Sequence, residues 1–135
     1  MISFTKRKGK EKMLKIVIPV IPRSKKNSQE IVFNRKTGRR MVIQNKRYTE
    51  FEKKCKEYMP TLEKSINDSV NLSCHFFVPD ARKRDIANYL EAIQDILVKY
   101  KVLEDDNYNI VSSLNNCKME IDRKNPRIEI NIEKK

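Results

Sequence analysis

Three aspartates offer the clearest opportunity for chemistry in this sequence. Asp85 directly follows three basic residues, 82–84, and Asp105 and Asp106 are adjacent in an acidic turn further along the chain. Phosphodiester hydrolysis needs a cation that neutralises the scissile phosphate and acidifies a water molecule, and carboxylates are the ligands that hold such a cation. Acidic residues concentrated locally in a basic chain are therefore candidates for a hydrolytic metal site.

Each aspartate also has a simpler interpretation. Asp85 can cap a helix by accepting a hydrogen bond from the amide of Asn88, and Asp105 and Asp106 can form a solvated turn. Composition alone favours the simpler interpretation for all three.

The positive charge of the chain is concentrated in two segments. The formal net charge is +12; residues 1–12 have five basic residues and one acidic residue, and residues 23–47 have nine and one. The remaining residues balance to zero. A neutral body with clustered Lys and Arg is typical of a protein that binds nucleic acid, because such clusters release the counterions condensed on phosphates. A solvated, solubilising surface is the alternative.

The segments around the aspartates predict an α+β fold with a mixed β-sheet and helices packed on it. Apolar residues recur at helical spacing from Ile86 to Tyr100, which predicts an amphipathic helix that places Asn88, Glu91 and Asp95 on its polar face. A second helix is predicted from a cap at Thr49 to about residue 58. Strands are predicted at residues 14–21, 70–78, 110–119 and 127–132, with a basic hairpin at 31–44 that turns at Gly38.

Length and composition predict one domain at residues 13–135, preceded by a flexible basic arm at residues 1–12. No apolar run is long enough to span a membrane, so we expect a cytoplasmic protein. Cys55, Cys74 and Cys117 form no paired motif and are expected to be reduced, mostly buried thiols. His75 is interpreted as a structural residue of a strand.

Several of these segments resemble the RusA family of Holliday junction resolvases. The family pattern runs R-D-x-D-N, a helix with D-A-L, and a terminal D-D; this chain has Arg84-Asp85-Ile86-Ala87-Asn88, then Asp95-Ile96-Leu97, then Asp105-Asp106. The opening Ile18-Pro19-Val20-Ile21-Pro22, followed by a basic Ser/Asn-containing loop, is also similar. The resemblance covers about residues 14–133.

The resemblance implies a homodimer that binds four-way or other branched DNA in recombination and repair. It implies paired nicks that depend on Mg²⁺, for which Mn²⁺ can substitute, and no small-molecule cofactor. Asp85 and Asp106 match metal-binding aspartates of the pattern, Asp105 matches the neighbour of the second, and Asn88 and Asp95 match its asparagine and mid-helix aspartate. A stand-alone member of this size is often carried by a phage or prophage.

Two positions depart from the family pattern. Ala87 stands where the pattern has its second catalytic aspartate, and Glu91 stands where it has a lysine. Glu91 follows Ala87 by four residues, so its side chain can lie one turn away on the same side of the helix. We therefore include Glu91 with Asp85 and Asp106 as a candidate metal ligand, with a solvated helix residue as the equal alternative.

Basic residues, together with Asn27, supply the predicted DNA contacts. Such side chains grip phosphates and position the DNA without reading its bases. A non-catalytic junction-binding protein on the same scaffold is the alternative that the two departures allow, and an RNA-binding protein rests on charge alone. The predicted contact residues are Lys25, Lys26, Asn27, Arg35, Lys36, Arg39, Arg40, Arg47, Arg82, Lys83 and Arg84.

Overall fold

The structure is a computed structural model that describes residues 5–7, 11–25, 29–44 and 46–135, with side chains described for 13–25, 31–41 and 46–135. Two of the predicted DNA contacts, Lys26 and Asn27, lie outside the described residues. In chain order the elements are β1 (Thr5–Arg7), β2 (Glu11–Ile18), β3 (Gln29–Asn34), β4 (Arg39–Gln44), α1 (Lys46–Glu57), β5 (Val70–Val78), α2 (Ile86–Lys99), β6 (Val111–Leu114), β7 (Lys118–Ile121) and β8 (Arg127–Lys134).

A mixed β-sheet forms the centre of the described chain. Its order is β1-β2-β8-β5, with antiparallel pairing of β2 with β8 and of β8 with β5. On the other side of β5, β6 pairs with its first residues and β7 with its last ones, both in parallel. The α+β class and the mixed sheet are therefore confirmed.

One face of the sheet packs against the two helices. Alternate residues of β5 and β8 are buried, as expected for strands that have one covered face. The apolar stripe of α2 and the buried residues of α1 complete the same core. The central contributors are Leu72, Cys74, Phe76, Ile128, Ile130, Ile132, Phe51, Cys55, Tyr89, Ile93, Ile96 and Leu97.

The boundaries differ from the predicted ones in three places. Helix α1 begins at Lys46, so Thr49 lies within it and does not cap it, and the apolar stripe of this helix already includes the buried Tyr48. Strand β2 ends at Ile18, because Pro19 lacks the amide that would continue the ladder. The strand predicted over 110–119 is two strands, separated where Asn116 adopts a left-handed conformation with φ of 55°.

The N-terminal segment also differs in part from the predicted arm. Thr5–Arg7 pairs with β2 in an antiparallel register, Thr5 opposite Met13, and β2 begins at Glu11. The ladder is made by backbone groups and does not require the apolar alternation that a half-buried strand shows, so the sequence pattern does not reveal it. These residues belong to the sheet.

Strands β3 and β4 form a separate two-stranded sheet, as the sequence predicts. Gly38 has φ of 69°, which supplies the left-handed turn position of the hairpin, and its amide bonds to the Asn34 carbonyl.

In the part of the chain that the structure describes, no helix is long and apolar enough to span a membrane. All three cysteines are free, and Cys55 and Cys74 are buried.

Candidate active site

Helix α2 begins in a loop that one arginine holds in place. The Arg84 guanidinium bonds to the Asp80 carboxylate at 2.8 Å and to the backbone carbonyls of Asp80 and Arg82. Its side chain is only 11% exposed. These three bonds hold Arg84 against the loop and set the approach to α2. Its assignment as a DNA contact stays a prediction. Bonds from Arg82 and Arg84 also lower the pKa of Asp80.

Asp85 is the N-cap of α2. Its backbone is extended, and one carboxylate oxygen accepts a hydrogen bond from the Ala87 amide at 3.0 Å. The predicted partner was the Asn88 amide, which instead donates to the backbone carbonyl of Asp85. The cap uses one oxygen of an exposed side chain. Capping therefore fixes the direction of the carboxylate and is compatible with a second, ligating role.

Hydrogen bonds to its own side chains hold the acidic turn that follows α2. One Asp105 oxygen accepts from the Asp106 amide at 2.7 Å, and the other accepts from the Asn107 side chain at 3.1 Å. The Glu104 amide bonds to the Ile66 carbonyl, which attaches the turn to the segment before β5. Asp105 therefore positions the turn, while Asp106 presents its carboxylate at the surface.

The carboxylate of Asp106 interacts with the negative charges of Asp105 and Asp95. Its pKa is raised, first by desolvation and then by the hydrogen bond with and the charge of Asp105, with a smaller contribution from Asp95. A cation bound beside Asp106 would relieve this repulsion, and oxygen ligands are those that hard divalent cations prefer. The chemistry of the donor groups therefore fits a divalent metal ion.

Asp95 pairs with a lysine from a distant segment. The Lys25 ammonium lies 2.8 Å from an Asp95 oxygen, and both side chains are about one-third exposed. Lys25 belongs to the basic loop after β2, so this contact joins that loop to the polar face of α2. The sequence suggests no partnership between residues 25 and 95, since neither spacing nor a motif connects them.

Glu91 is exposed on α2, between Asn88 and Asp95 on the same helical face. Within the described residues it makes no hydrogen bond and no ion pair. Its nearest neighbours along the face are three and four residues away, so it lies beside the Lys25–Asp95 pair.

A basic cleft lies at the start of α2. It has a volume of about 240 Å³ and is lined by five basic side chains from three segments, together with the buried Tyr89. The segments are the loop after β2, the start of α1 and the loop before α2. Because Arg84 immediately precedes Asp85, the cleft and the first candidate metal ligand share the N-terminal end of α2. The basic residues are Arg23, Arg47, Arg82, Lys83 and Arg84.

The predicted DNA contacts fall into separate groups. Arg47, Arg82 and Lys83 line the basic cleft, whereas four further cations are exposed around the hairpin turn, at Arg35, Lys36, Arg39 and Arg40. Arg23 was not among the predicted DNA contacts, although it lies in the basic segment at residues 23–47. Only the fold shows that it lines the same cleft as residues 82–84.

Within the described residues, the candidate metal ligands do not form a cluster of three. Asp85 and Asp95 are separated by ten residues of helix, which is about 15 Å along its axis, and Asp106 senses the charge of Asp95. Among the described residues no group of three or more His, Cys, Asp or Glu side chains could hold a metal ion. One described chain therefore presents Asp85 at the start of α2 and Asp106 in the turn that follows α2 in the sequence.

Comparison with known proteins identifies the family of this chain. No curated protein matches the chain. The family model for endodeoxyribonuclease RusA matches residues 17–133, which includes the basic loop, both helices, β5 and the acidic turn. With nearly the whole 135-residue chain covered, the protein belongs to the RusA endodeoxyribonuclease family, whose members are nucleases that act on DNA.

Proposed function

We propose that this protein is a metal-dependent endonuclease that resolves four-way DNA junctions by paired nicks. The observation that carries the proposal is the basic cleft beside Asp85, where cations from three segments adjoin a carboxylate fixed by its cap. Basic side chains there would grip the phosphates on either side of a scissile bond. The family membership supports a DNA substrate.

Asp85 and Asp106 are the proposed metal ligands, with Mg²⁺ as the ion and Mn²⁺ as a substitute. The ion, when bound, supplies an acidified water and neutralises charge on the phosphate. Asp105 holds the turn that presents Asp106, and Arg84 holds the loop that presents Asp85. Arg23, Arg47, Arg82 and Lys83 would bind and orient the DNA backbone.

We further propose that a second copy of the chain completes each site. In one chain Asp85 caps the start of α2, whereas Asp106 interacts electrostatically with Asp95, which is ten residues or about 15 Å further along the helix. A two-fold axis that sets two such helices side by side in opposite directions brings Asp85 of one copy toward Asp106 of the other. A four-way junction has approximate two-fold symmetry, so a dimer with two equivalent sites suits paired nicks.

Lys25 is proposed to supply the ammonium group that the family pattern places at position 91. Its contact with Asp95 sets the Lys25 charge on the helical face that also carries Glu91. We expect Lys25→Met to lower junction cleavage by about tenfold to a hundredfold, because a positioned cation that stabilises transition-state charge is removed. Single-turnover rates on a saturated junction would measure this loss separately from binding.

Two further variants distinguish this role from a structural ion pair. Lys25→Arg should keep part of the rate, since it retains a positive charge on the same face. Lys46→Met is the matched control, because Lys46 is 89% exposed and its ion pair with Glu50 is a surface pair. If Lys25→Met cuts at the wild-type rate, the proposed role is wrong.

A substitution of Glu91 tests whether this residue is a metal ligand. If Glu91 provides the third carboxylate in place of the aspartate that Ala87 replaces, Glu91→Gln should lower cleavage by about a hundredfold and raise the Mg²⁺ concentration needed for half-maximal rate. Cleavage at the wild-type rate with an unchanged metal requirement would show that Glu91 is a solvated helix residue.

A labelled synthetic four-way junction beside a linear duplex of the same sequence tests the proposed function. We expect metal-dependent nicks in two opposed strands of the junction, no cutting in EDTA, and little cutting of the duplex. Tight junction binding without cutting in Mg²⁺ or Mn²⁺ would instead support a non-catalytic junction-binding protein, which the loss of the aspartate at position 87 favours.

A further inference from the structure

The hairpin of β3 and β4 exposes a row of apolar side chains that nothing in the described chain covers. Ile31 is 72% exposed and Phe33 is 60% exposed. They are two residues apart on β3 and therefore point to the same side of the hairpin. Large apolar groups in a strand normally pack against a second layer, and a hairpin alone is marginally stable in water. We therefore expect the face that carries Ile31 and Phe33 to contact a partner.

The charges around this face indicate the chemistry of the partner. Arg40 lies directly opposite Phe33 in the register, so an arginine and an aromatic ring share one face. Arg35, Lys36 and Arg39 follow around the turn, and residues 31–44 contain no acidic side chain. A second copy of the same hairpin would bring like charges together, whereas a polyanion with flat apolar surfaces matches both features.

Nucleic acid bases next to a backbone of phosphates have this combination of properties. Aromatic rings and guanidinium groups stack on exposed bases regardless of their sequence, and the neighbouring cations follow the phosphates. Bases that flank a branch point lose a stacking neighbour when the junction opens, while bases within a linear duplex remain stacked on both sides.

We propose that the β3–β4 hairpin recognises the branch point of DNA, with Phe33 stacked on an unstacked base and Arg40 beside it. This inference rests on the proposed function, because it names the structural feature of DNA that the protein selects. The cations around Gly38 bind the phosphates next to that base, and the basic cleft at α2 holds a separate part of the backbone.

The test compares two substitutions of the same residue. Phe33→Leu keeps an apolar strand residue but removes the aromatic face, and Phe33→Trp keeps the aromatic face. Affinities for a four-way junction and for a linear duplex are measured in EDTA, which removes the metal ion that the proposed reaction needs. We expect Phe33→Leu to weaken junction binding by about tenfold and duplex binding by less than about twofold, and Phe33→Trp to bind the junction like wild type.

Val32→Leu is the matched control, because Val32 is on the opposite face of the same strand and is partly exposed. It should leave both affinities unchanged. The proposal is overturned if Phe33→Leu retains the wild-type preference for the junction, or if Phe33→Ser converts a dimer to a monomer in light scattering, which would assign the face to a second copy.

The two failures can be told apart. Wild-type protein that cuts junctions, with Phe33→Leu equally selective, leaves the proposed function intact and removes the role of the hairpin. Wild-type protein that shows no preference for junctions over duplex contradicts the proposed function, and the inference about the hairpin fails with it.

Discussion

Asp106→Asn is expected to reduce junction cleavage by about a thousandfold or more, because it removes a charged ligand of the catalytic ion at nearly constant shape. DNA binding in EDTA should persist, since the basic cleft and the hairpin are unchanged. The rate is measured on a labelled junction under single-turnover conditions. Cleavage by Asp106→Asn within about tenfold of wild type would exclude Asp106 as a metal ligand.

The same substitution should slightly stabilise the protein in the absence of metal. The pKa of Asp106 is raised in the folded state, so at neutral pH its ionised form disfavours folding, and this penalty disappears as the pH falls through the raised pKa to below the ordinary pKa of an aspartate. Because the side chain is exposed, the gain is small, below about 1 kcal/mol or roughly a few degrees in Tm. A large loss of Tm would instead mean that the lost activity reflects misfolding.

A mixed dimer of Asp85→Asn and Asp106→Asn chains is expected to recover cleavage that neither variant shows alone. If each site takes Asp85 from one copy and Asp106 from the other, the mixed dimer has one complete site and one site that lacks both carboxylates. One complete site makes single nicks and no resolved products. Co-expression with two different affinity tags, followed by sequential purification, provides the mixed dimer for a junction assay.

The reverse combination is the control for the mixed dimer. Wild-type chain paired with the Asp85→Asn/Asp106→Asn double variant has no complete site when the carboxylates come from different copies, and one complete site when they come from the same copy. Nicking by this control, without nicking by the first mixed dimer, would show that each chain builds its own site.

Sequence patterns predicted the elements whose signals are local. The stripe from Ile86 to Tyr100 predicted α2, the apolar run at 70–78 predicted β5, and Gly38 predicted the hairpin turn, because spacing and turn chemistry are properties of neighbouring residues. The resemblance at Arg84-Asp85 and Asp105-Asp106 predicted the family. A homodimer and the use of a metal remain proposals.

The features that the sequence did not reveal depend on contacts between distant segments. Lys25 meets Asp95 across 70 positions, and Arg23 joins the cleft only because the loop after β2 lies near the loop before α2. Arg84 was predicted to contact DNA because of its charge, and its bonds to Asp80 and to two carbonyls are visible only in the fold. Charge identifies candidates, whereas burial and partners decide which of them face a ligand.

The most direct test of the central claim is a supercoiled plasmid that carries an extruded cruciform, incubated with wild-type protein and Mg²⁺. Two symmetric nicks made in one binding event convert this plasmid directly to a linear product with ligatable ends, and this is the result that the proposed paired-site dimer predicts. Recovery of the plasmid bound but uncut would show that the protein recognises junctions without resolving them.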